Sequence, residues 1–289
     1  MNILVTGGEG QLGYEVHEAS STSSDCYFFT DVQDLDICDY SKIETFCLKK
    51  DIDIIINCAA YTNVDLAESN GDLANRINHI AVDNLAKVAK KRSIYLFHIS
   101  TDYVFGGVKN TPMREDDKIN PLGVYGKTKR LGEEAIFESG CKYLIFRTAW
   151  LYSWRAKNFV KTMLNLTSSK EEIKVVFDQV GTPTNAADLA RTIIQIISER
   201  LYQGNEGVYH FSNEGVCSWF DFAWEINVIA GHSCRVLPCY SSEFPSPVER
   251  PAYSVLDKTK IKNTFHIEVP YWKKSLVSCI DRIRKNENI

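Results

Sequence analysis

Along the first half of the chain, short runs of apolar, aromatic and β-branched residues alternate with longer stretches whose apolar positions recur at three- and four-residue steps. Residues 2–6, 27–30, 54–58, 94–99 and 143–147 have the length and composition of strands. Residues 11–19, 40–50, 73–91 and 121–138 carry the helical period instead. This order predicts repeated βαβ units, hence a parallel sheet with helices on both faces. Right-handed crossovers then lead to an α/β, Rossmann-type doubly wound fold.

After Trp150 the rhythm changes. Helical patterns are expected at 158–168, 186–200, 219–230 and 271–284, with short strands at 173–177 and 208–211. Pro238, Pro245, Pro247 and Pro251 share one segment with Ser241, Ser242 and Ser246, which predicts loop. The expected organisation is a dinucleotide-binding domain over 1–150 and a smaller, mainly substrate-binding region over 151–289, with some segments of the latter returning to the first.

Composition narrows the function classes. The chain has 289 residues, 33 Lys and Arg against 37 Asp and Glu, and 44% hydrophobic residues, values of an ordinary globular protein. A net charge of -4 offers no general footprint for nucleic acid. No apolar run approaches the roughly 20 residues of a membrane span. The start of the chain lacks the charged and apolar regions of a signal peptide, so a cytoplasmic location is expected. Nine cysteines stand singly, with no Cys-x-x-Cys, and are expected to be reduced. Cys234, Cys239 and His232 come nearest to a metal cluster but lack a second ligand pair, so no metal site is expected there.

Candidate chemistry begins directly after the first strand, at Gly7-Gly8-Glu9-Gly10-Gln11-Leu12-Gly13. Gly7, Gly10 and Gly13 are spaced by three, whereas the common dehydrogenase fingerprint places its first two glycines two apart. Glycine permits the tight strand-to-helix turn and close approach of a pyrophosphate, which would rest on free N–H groups at the helix start. Asp31, at the end of the second strand, is at the distance expected for a carboxylate on the adenosine ribose. Asp36 and Ile37 then flank the adenine in this reading.

Tyr125 and Lys129 lie one helical turn apart in Tyr125-Gly126-Lys127-Thr128-Lys129, on one face. An ammonium beside a phenol lowers its pKa and eases proton donation, which makes the two a credible acid/base pair. The fourth strand ends in His98-Ile99-Ser100-Thr101-Asp102-Tyr103. Ser100 or Thr101 can there bond the same substrate oxygen that Tyr125 protonates. The third strand runs into Asn57-Cys58-Ala59-Ala60-Tyr61-Thr62, whose small residues let a flat cofactor lie close.

With these motifs the chain resembles the extended short-chain dehydrogenase/reductase family, and within it the dTDP-4-dehydrorhamnose reductases. The subfamily's pattern continues through Phe146-Arg147-Thr148-Ala149-Trp150, Asn158-Phe159, Asp178-Gln179-Val180-Gly181-Thr182-Pro183-Thr184 and Arg250-Pro251, so the resemblance spans residues 2 to about 280. It implies an NADPH- or NADH-dependent reductase of the 4-keto group of dTDP-4-dehydro-L-rhamnose, with Tyr125 as proton donor and Thr101 in the hydroxyl role. It puts Gly10, Gln11 and Leu12 on the cofactor phosphates, Ala60, Tyr61 and Thr62 along its middle, and Lys129 on the nicotinamide ribose. Trp150, Asn158 and Arg250 are implied as substrate contacts, Arg250 toward the diphosphate, and Asn78 as a structural residue behind the lysine. Some members hold magnesium at a homodimer interface through carboxylates matching Glu15 and a position that here is Ala187, beside Asp188. Metal-mediated dimerisation is therefore not expected, while a homodimer as such stays open. Two other readings also stay open: a non-catalytic dinucleotide-binding regulatory subunit, and an epimerase or dehydratase on another nucleotide sugar.

Overall fold

The computed structural model describes residues 1–244 and 246–287. Pro245 and the end of the predicted 151–289 region lie outside them. The first half runs β1 (Asn2–Thr6), α1 (Gln11–Ser20), β2 (Cys26–Thr30), α2 (Tyr40–Lys50), β3 (Ile54–Asn57), α3 (Val64–Ser69), α4 (Gly71–Asn75), α5 (Ala81–Arg92), β4 (Tyr95–Thr101), α6 (Val124–Ser139) and β5 (Lys142–Thr148). A six-stranded sheet has the order β10-β5-β4-β3-β1-β2, in which β10 is Gly207–His210. Every neighbouring pair in it is parallel. This is the doubly wound arrangement, with a switch point between β1 and β3 where the chain leaves β1 first toward one edge and then toward the other. In sheets of this kind ligands bind at this point, beyond the carboxyl ends of the strands.

The continuous apolar character of β1 and β3 follows from burial on both faces. Ile3, Val5, Ile54 and Ile56 pack with α1 and α8 (Ala186–Ser198) through Val16, Leu189 and Ile193. Leu4, Ile55 and Leu96 face the opposite way, against Val82 and Leu85 of α5 and Ile136 of α6. Local chemistry sets the ends: the Asp39 carboxylate accepts from the Lys42 N–H to start α2, and Asp51 closes it at φ 50°.

The second half continues with β6 (Leu151–Tyr152), α7 (Phe159–Ser169), β7 (Glu172–Val176), β8 (Val180–Gly181), β9 (Thr184–Asn185), α8, β10, β11 (Cys217–Ser218), α9 (Trp219–Ala230), β12 (Arg235–Cys239), α10 (Thr259–Phe265) and α11 (Trp272–Glu287). Of these, α8 and β10 join the sheet layer. A separate core gathers Val160 and Met163 of α7, Ile173 and Val175 of β7, Phe222 and Ile226 of α9, Val236 of β12, and Leu276 and Ile280 of α11.

Three local expectations are corrected. Helix α6 starts at Val124 rather than Pro121, with Gly123 at its N-cap, because the Val124 N–H is taken by Glu68 Oε1 at 2.7 Å and Pro121 stays outside. The single helix expected over 73–91 is interrupted by a π-helical turn, Arg76–Ile80. Pro238, read with the loop, belongs to β12, where the two-stranded pairing with β7 leaves an edge that tolerates a missing N–H.

Beneath the site, Glu133 of α6 receives two guanidinium bonds from Arg147 of β5, each 2.8 Å, and one from Ser100 Oγ at 2.6 Å. Burial works to raise the Glu133 pKa, but the Arg147, Ser100 and Arg130 contacts outweigh it and hold the carboxyl below its ordinary value.

Candidate active site

The glycine loop is built for close approach. Gly7 adopts φ +66°, and a Cβ there would lie 2.7 Å from the Ala59 nitrogen. At Gly13 a Cβ would come within 2.1 Å of the Gly7 carbonyl oxygen, so only glycine lets α1 begin this near β1. The Gly10 N–H donates to Gly7 O at 3.1 Å, and the Gly10 side of the turn leads into α1 without a side-chain cap. Leu12 is buried under the helix. Gln11 Oε1 accepts from Asn158 Nδ2 at 3.1 Å and from Ser153 Oγ at 3.4 Å, so this loop is tied to the start of α7.

At the end of β2, Asp31 accepts from the Glu9 N–H at 3.3 Å and the Val32 N–H at 2.8 Å, which holds its carboxylate beside the glycine loop. Asp36 accepts from the Cys38 N–H and faces Arg76 at 3.8 Å, and Ile37 is buried. Beyond β3, Ala60 and Thr62 flank Tyr61. The Tyr61 N–H donates to Asn78 Oδ1 at 2.9 Å, and Asn78 Nδ2 returns a bond to the Tyr61 carbonyl at 3.0 Å and one to Thr128 Oγ1 at 3.2 Å. The π-helical turn is what brings the Asn78 amide inward to clamp this segment.

The end of β4 separates the two hydroxyls left open by the sequence. Ser100 Oγ is used by Glu133 in the middle of α6, whereas Thr101 donates to Asp102 Oδ1 at 3.0 Å and meets Tyr125 at the start of that helix. Tyr125 lies edge-on to Tyr103, with ring centroids 5.5 Å apart. Burial pushes the Tyr125 phenol up to about 12, with a Thr101 hydrogen bond opposing the shift. Lys129 Nζ donates to the Ile99 carbonyl at 2.6 Å and meets His98 Nε2 at 3.3 Å. Burial also lowers the Lys129 pKa to about 8, against the pull of Glu133. The expected lowering of the phenol pKa by the lysine is thus corrected: the ammonium is engaged on β4, and desolvation governs both groups.

Asp102 is a site residue that the sequence reading passed over. Burial pushes its carboxyl up to about 7, against bonds from Thr101 and Ser254. Its signal was its place directly after Thr101 at the carboxyl end of a central strand.

Across the crevice, Trp150 adopts φ 49° and stacks on Trp219 at 3.5 Å and 10°. Arg250 reaches Asp65 with contacts of 3.0 and 3.1 Å. Asn158 caps α7 by accepting from the Lys161 N–H at 3.1 Å while its Nδ2 bonds Gln11 and the Ser153 carbonyl. Glu15 pairs with Arg282 at 2.9 Å, and the Asp188 carboxylate bonds Arg191, Asn213 and Ser275. Among the described residues no group of three or more His, Cys, Asp or Glu side chains is arranged to hold a metal ion.

A glycine turn at the end of β1, an acidic residue at the end of β2, a threonine at the end of β4 and a Tyr-x-x-x-Lys face on α6 are together the arrangement of an extended short-chain dehydrogenase/reductase. A family model described as the RmlD substrate binding domain matches residues 1–285, and the chain belongs to that family. It is 37% identical to the dTDP-4-dehydrorhamnose reductase of Burkholderia thailandensis over 97% of this chain and 98% of that one. The crystal structure of a dTDP-4-dehydrorhamnose reductase from Clostridium acetobutylicum superposes with a TM-score of 0.94 at 44% identity, covering 98% of this chain and 100% of that one. One from Bacillus anthracis, in complex with NADP, gives 0.91 at 37% identity, covering 97% and 99%. No helix among the described residues is long and apolar enough to cross a membrane.

Proposed function

We propose that this chain is an NAD(P)H-dependent reductase that converts the 4-keto group of dTDP-4-dehydro-L-rhamnose to the hydroxyl of dTDP-L-rhamnose. The observation that carries the reading is the meeting of Tyr125, Thr101 and Lys129 at the carboxyl edge of β4, beside a glycine turn that no larger residue could replace. The close backbone packing at Gly7 and Gly13 supports a pyrophosphate on the N-terminus of α1, with Gly10, Gln11 and Leu12 around it. Asp31, Asp36 and Ile37 would hold the adenosine end, Ala60, Tyr61 and Thr62 the middle, and Lys129 the nicotinamide ribose. When bound, the reduced nicotinamide supplies the hydride.

The chain's own residues manage the proton. A phenol raised to about 12 stays protonated at neutral pH, so Tyr125 is held in the acid form that carbonyl reduction requires. As negative charge develops on the carbonyl oxygen, the Tyr125 O–H donates to it and Thr101 shares in orienting it. Trp150, supported by Trp219, offers a flat wall for the sugar nucleotide, and Arg250 a cation for its diphosphate, partly balanced by Asp65. The Asn158 amide is already committed to Gln11 and the α7 cap, so its part is to link the two regions rather than to contact substrate directly. The division of labour follows: the sheet layer binds the cofactor and the region around α7, α9 and β7 closes on the substrate. Turnover of the dTDP-linked ketosugar with reduced cofactor is the test.

Cofactor choice rests on Asp31. Its carboxylate, anchored on the Glu9 N–H, can accept from a free ribose hydroxyl and repels a 2′-phosphate. Dual use is expected, with NADH no worse than NADPH by more than about tenfold in specificity constant, or about 1.4 kcal/mol. Asp31→Ala should move the ratio toward NADPH. A strong wild-type preference for NADPH, or an unchanged ratio in the variant, would remove the carboxylate from the selection.

A further inference from the structure

At the carboxyl end of β4 the chain turns through Asp102–Val104, a single 3-10 turn capped by the Thr101 hydroxyl, which accepts from the Tyr103 N–H at 3.2 Å. The same hydroxyl donates to Asp102 Oδ1 at 3.0 Å and meets the Tyr125 phenol. Asp102 is 2% exposed and Thr101 5%. Ser254 stands close enough to ease the charge of the carboxyl, yet Asp102 Oδ2 itself is buried with no hydrogen-bond partner among the described residues, and no cation pairs with it there. The reductase reading gives Asp102 no task.

We infer that Asp102 is a positioning residue whose protonation state sets the direction of the Thr101 hydroxyl: the neutral acid turns the Thr101 proton to Tyr125, and the carboxylate withdraws it. Its weight in turnover rests on the reductase reading above.

The direction follows from donors and acceptors. A hydroxyl has one proton and two lone pairs. Beside a carboxylate, the Thr101 proton goes to Asp102 Oδ1 and one lone pair takes the Tyr103 N–H, so only the second lone pair is left for Tyr125. The phenol then spends its own proton on Thr101. With an acid proton on Oδ1, Asp102 donates to Thr101 instead. Both threonine lone pairs are then filled, its proton swings to the Tyr125 oxygen, and the phenol proton is free for the substrate carbonyl. A donor on the phenol oxygen also favours the charge that builds there as the proton leaves. The unpartnered Oδ2 favours the acid, because a neutral carbonyl oxygen loses less on burial than a carboxylate oxygen.

Burial pushes the Asp102 carboxyl up to about 7, so both states are populated at neutral pH. Tyr103 on the same turn and Tyr125 on α6 are held above their ordinary values by burial and stay neutral. The segment packed against the turn offers Ser254, which does not titrate, and Arg250, which is paired with Asp65. His98 on β4 stays neutral, because burial and then the charge of Lys129 hold its pKa well below the ordinary value. Further along α6 Glu133 stays ionised, while Lys129 titrates at about 8 and is, among these groups, the neighbour that changes charge near the switch.

Infrared spectroscopy of the full chain, with carbon-13 at the aspartate carboxyls, tests the switch without substrate. An isotope-shifted band of a neutral carboxylic acid should be present at pH 6, fade by pH 8 and be absent in Asp102→Asn. Thr101→Val, which removes the acceptor of the acid proton, should shift it. With the dTDP-linked ketosugar and saturating cofactor, wild-type kcat should fall at least about tenfold from pH 6 to pH 8 as the acid form is titrated away. In Asp102→Asn, which cannot ionise, the fall should shrink to about twofold, the share left to Lys129. The residual rate of Thr101→Val should be equally shallow, because no hydroxyl is left to redirect. A steep profile that survives in Asp102→Asn overturns the inference, and so does a flat wild-type profile, a missing acid band at pH 6 or a band that Thr101→Val leaves in place. If Asp102→Asn does not fold, the band shift in Thr101→Val decides. Should the chain fail to reduce the ketosugar while the band titrates and answers to Thr101, the reductase reading fails and the switch stands.

Discussion

Tyr125→Phe will lower turnover by about 10²- to 10⁴-fold, the range that general acid catalysis contributes. The substitution keeps the ring that packs edge-on against Tyr103 and removes only the hydroxyl. Because the lost bond forms to an oxygen that becomes negative in the transition state, kcat and kcat/KM should fall together while cofactor affinity stays near the wild-type value. Steady-state kinetics beside a fluorescence titration of the reduced cofactor separate the two. Near-normal turnover would make Tyr125 a packing residue and remove the proton donor from the mechanism.

Lys129→Met is expected to lose turnover and cofactor affinity and yet to gain stability. Burial lowers the lysine from its ordinary value of 10.5 to about 8. At pH 7 folded and unfolded chains are therefore both protonated, and the folded one bears the whole cost of burying an ammonium, about 3 kcal/mol. Between pH 8 and 10.5 the folded amine releases its proton while the unfolded one still holds it, so wild-type stability rises with pH across this window. Methionine keeps the stem and removes the charge. Allowing about 1 kcal/mol for the lost bond to the Ile99 carbonyl, the variant should be about 2 kcal/mol more stable than the wild type at pH 7, with the gap closing toward pH 10. Urea denaturation at the two pH values reads the difference. A variant destabilised at both would show that the lysine is held mainly for packing, and an unchanged cofactor dissociation constant would take it off the ribose.

The sheet was legible because its strands are buried on both faces and read as apolar runs, and because turn chemistry marks their ends. β1, α2 and α9 have the bounds that periodicity gives, and Gly7 and Gly13 stand where the backbone admits no Cβ. What periodicity could not show is where the chain departs from regular geometry. The π-helical turn at Arg76–Ile80 keeps an apolar helical pattern while rotating Asn78 inward, and β12 carries a proline because, among the described residues, it pairs in a two-stranded sheet with β7 alone. The site was legible as a set of residue types but not as a set of directions. Whether Ser100 or Thr101 faces the crevice depends on strand pleat, and Glu133 takes the serine. The electrostatics were the least legible part. Spacing places Lys129 beside Tyr125, but only the fold shows its nitrogen turned to Ile99 and His98, with burial deciding both pKa values.

The central claim concerns the substrate, and one assay addresses it most directly: oxidation of NADPH or NADH, followed at saturating cofactor, with dTDP-4-dehydrorhamnose beside its GDP- and UDP-linked counterparts. The account predicts steady turnover of the dTDP-linked ketosugar, exceeding that of the other two, with cofactor that exchanges freely between cycles. Absence of turnover with the dTDP-linked substrate, in a protein that binds the reduced cofactor, would contradict it.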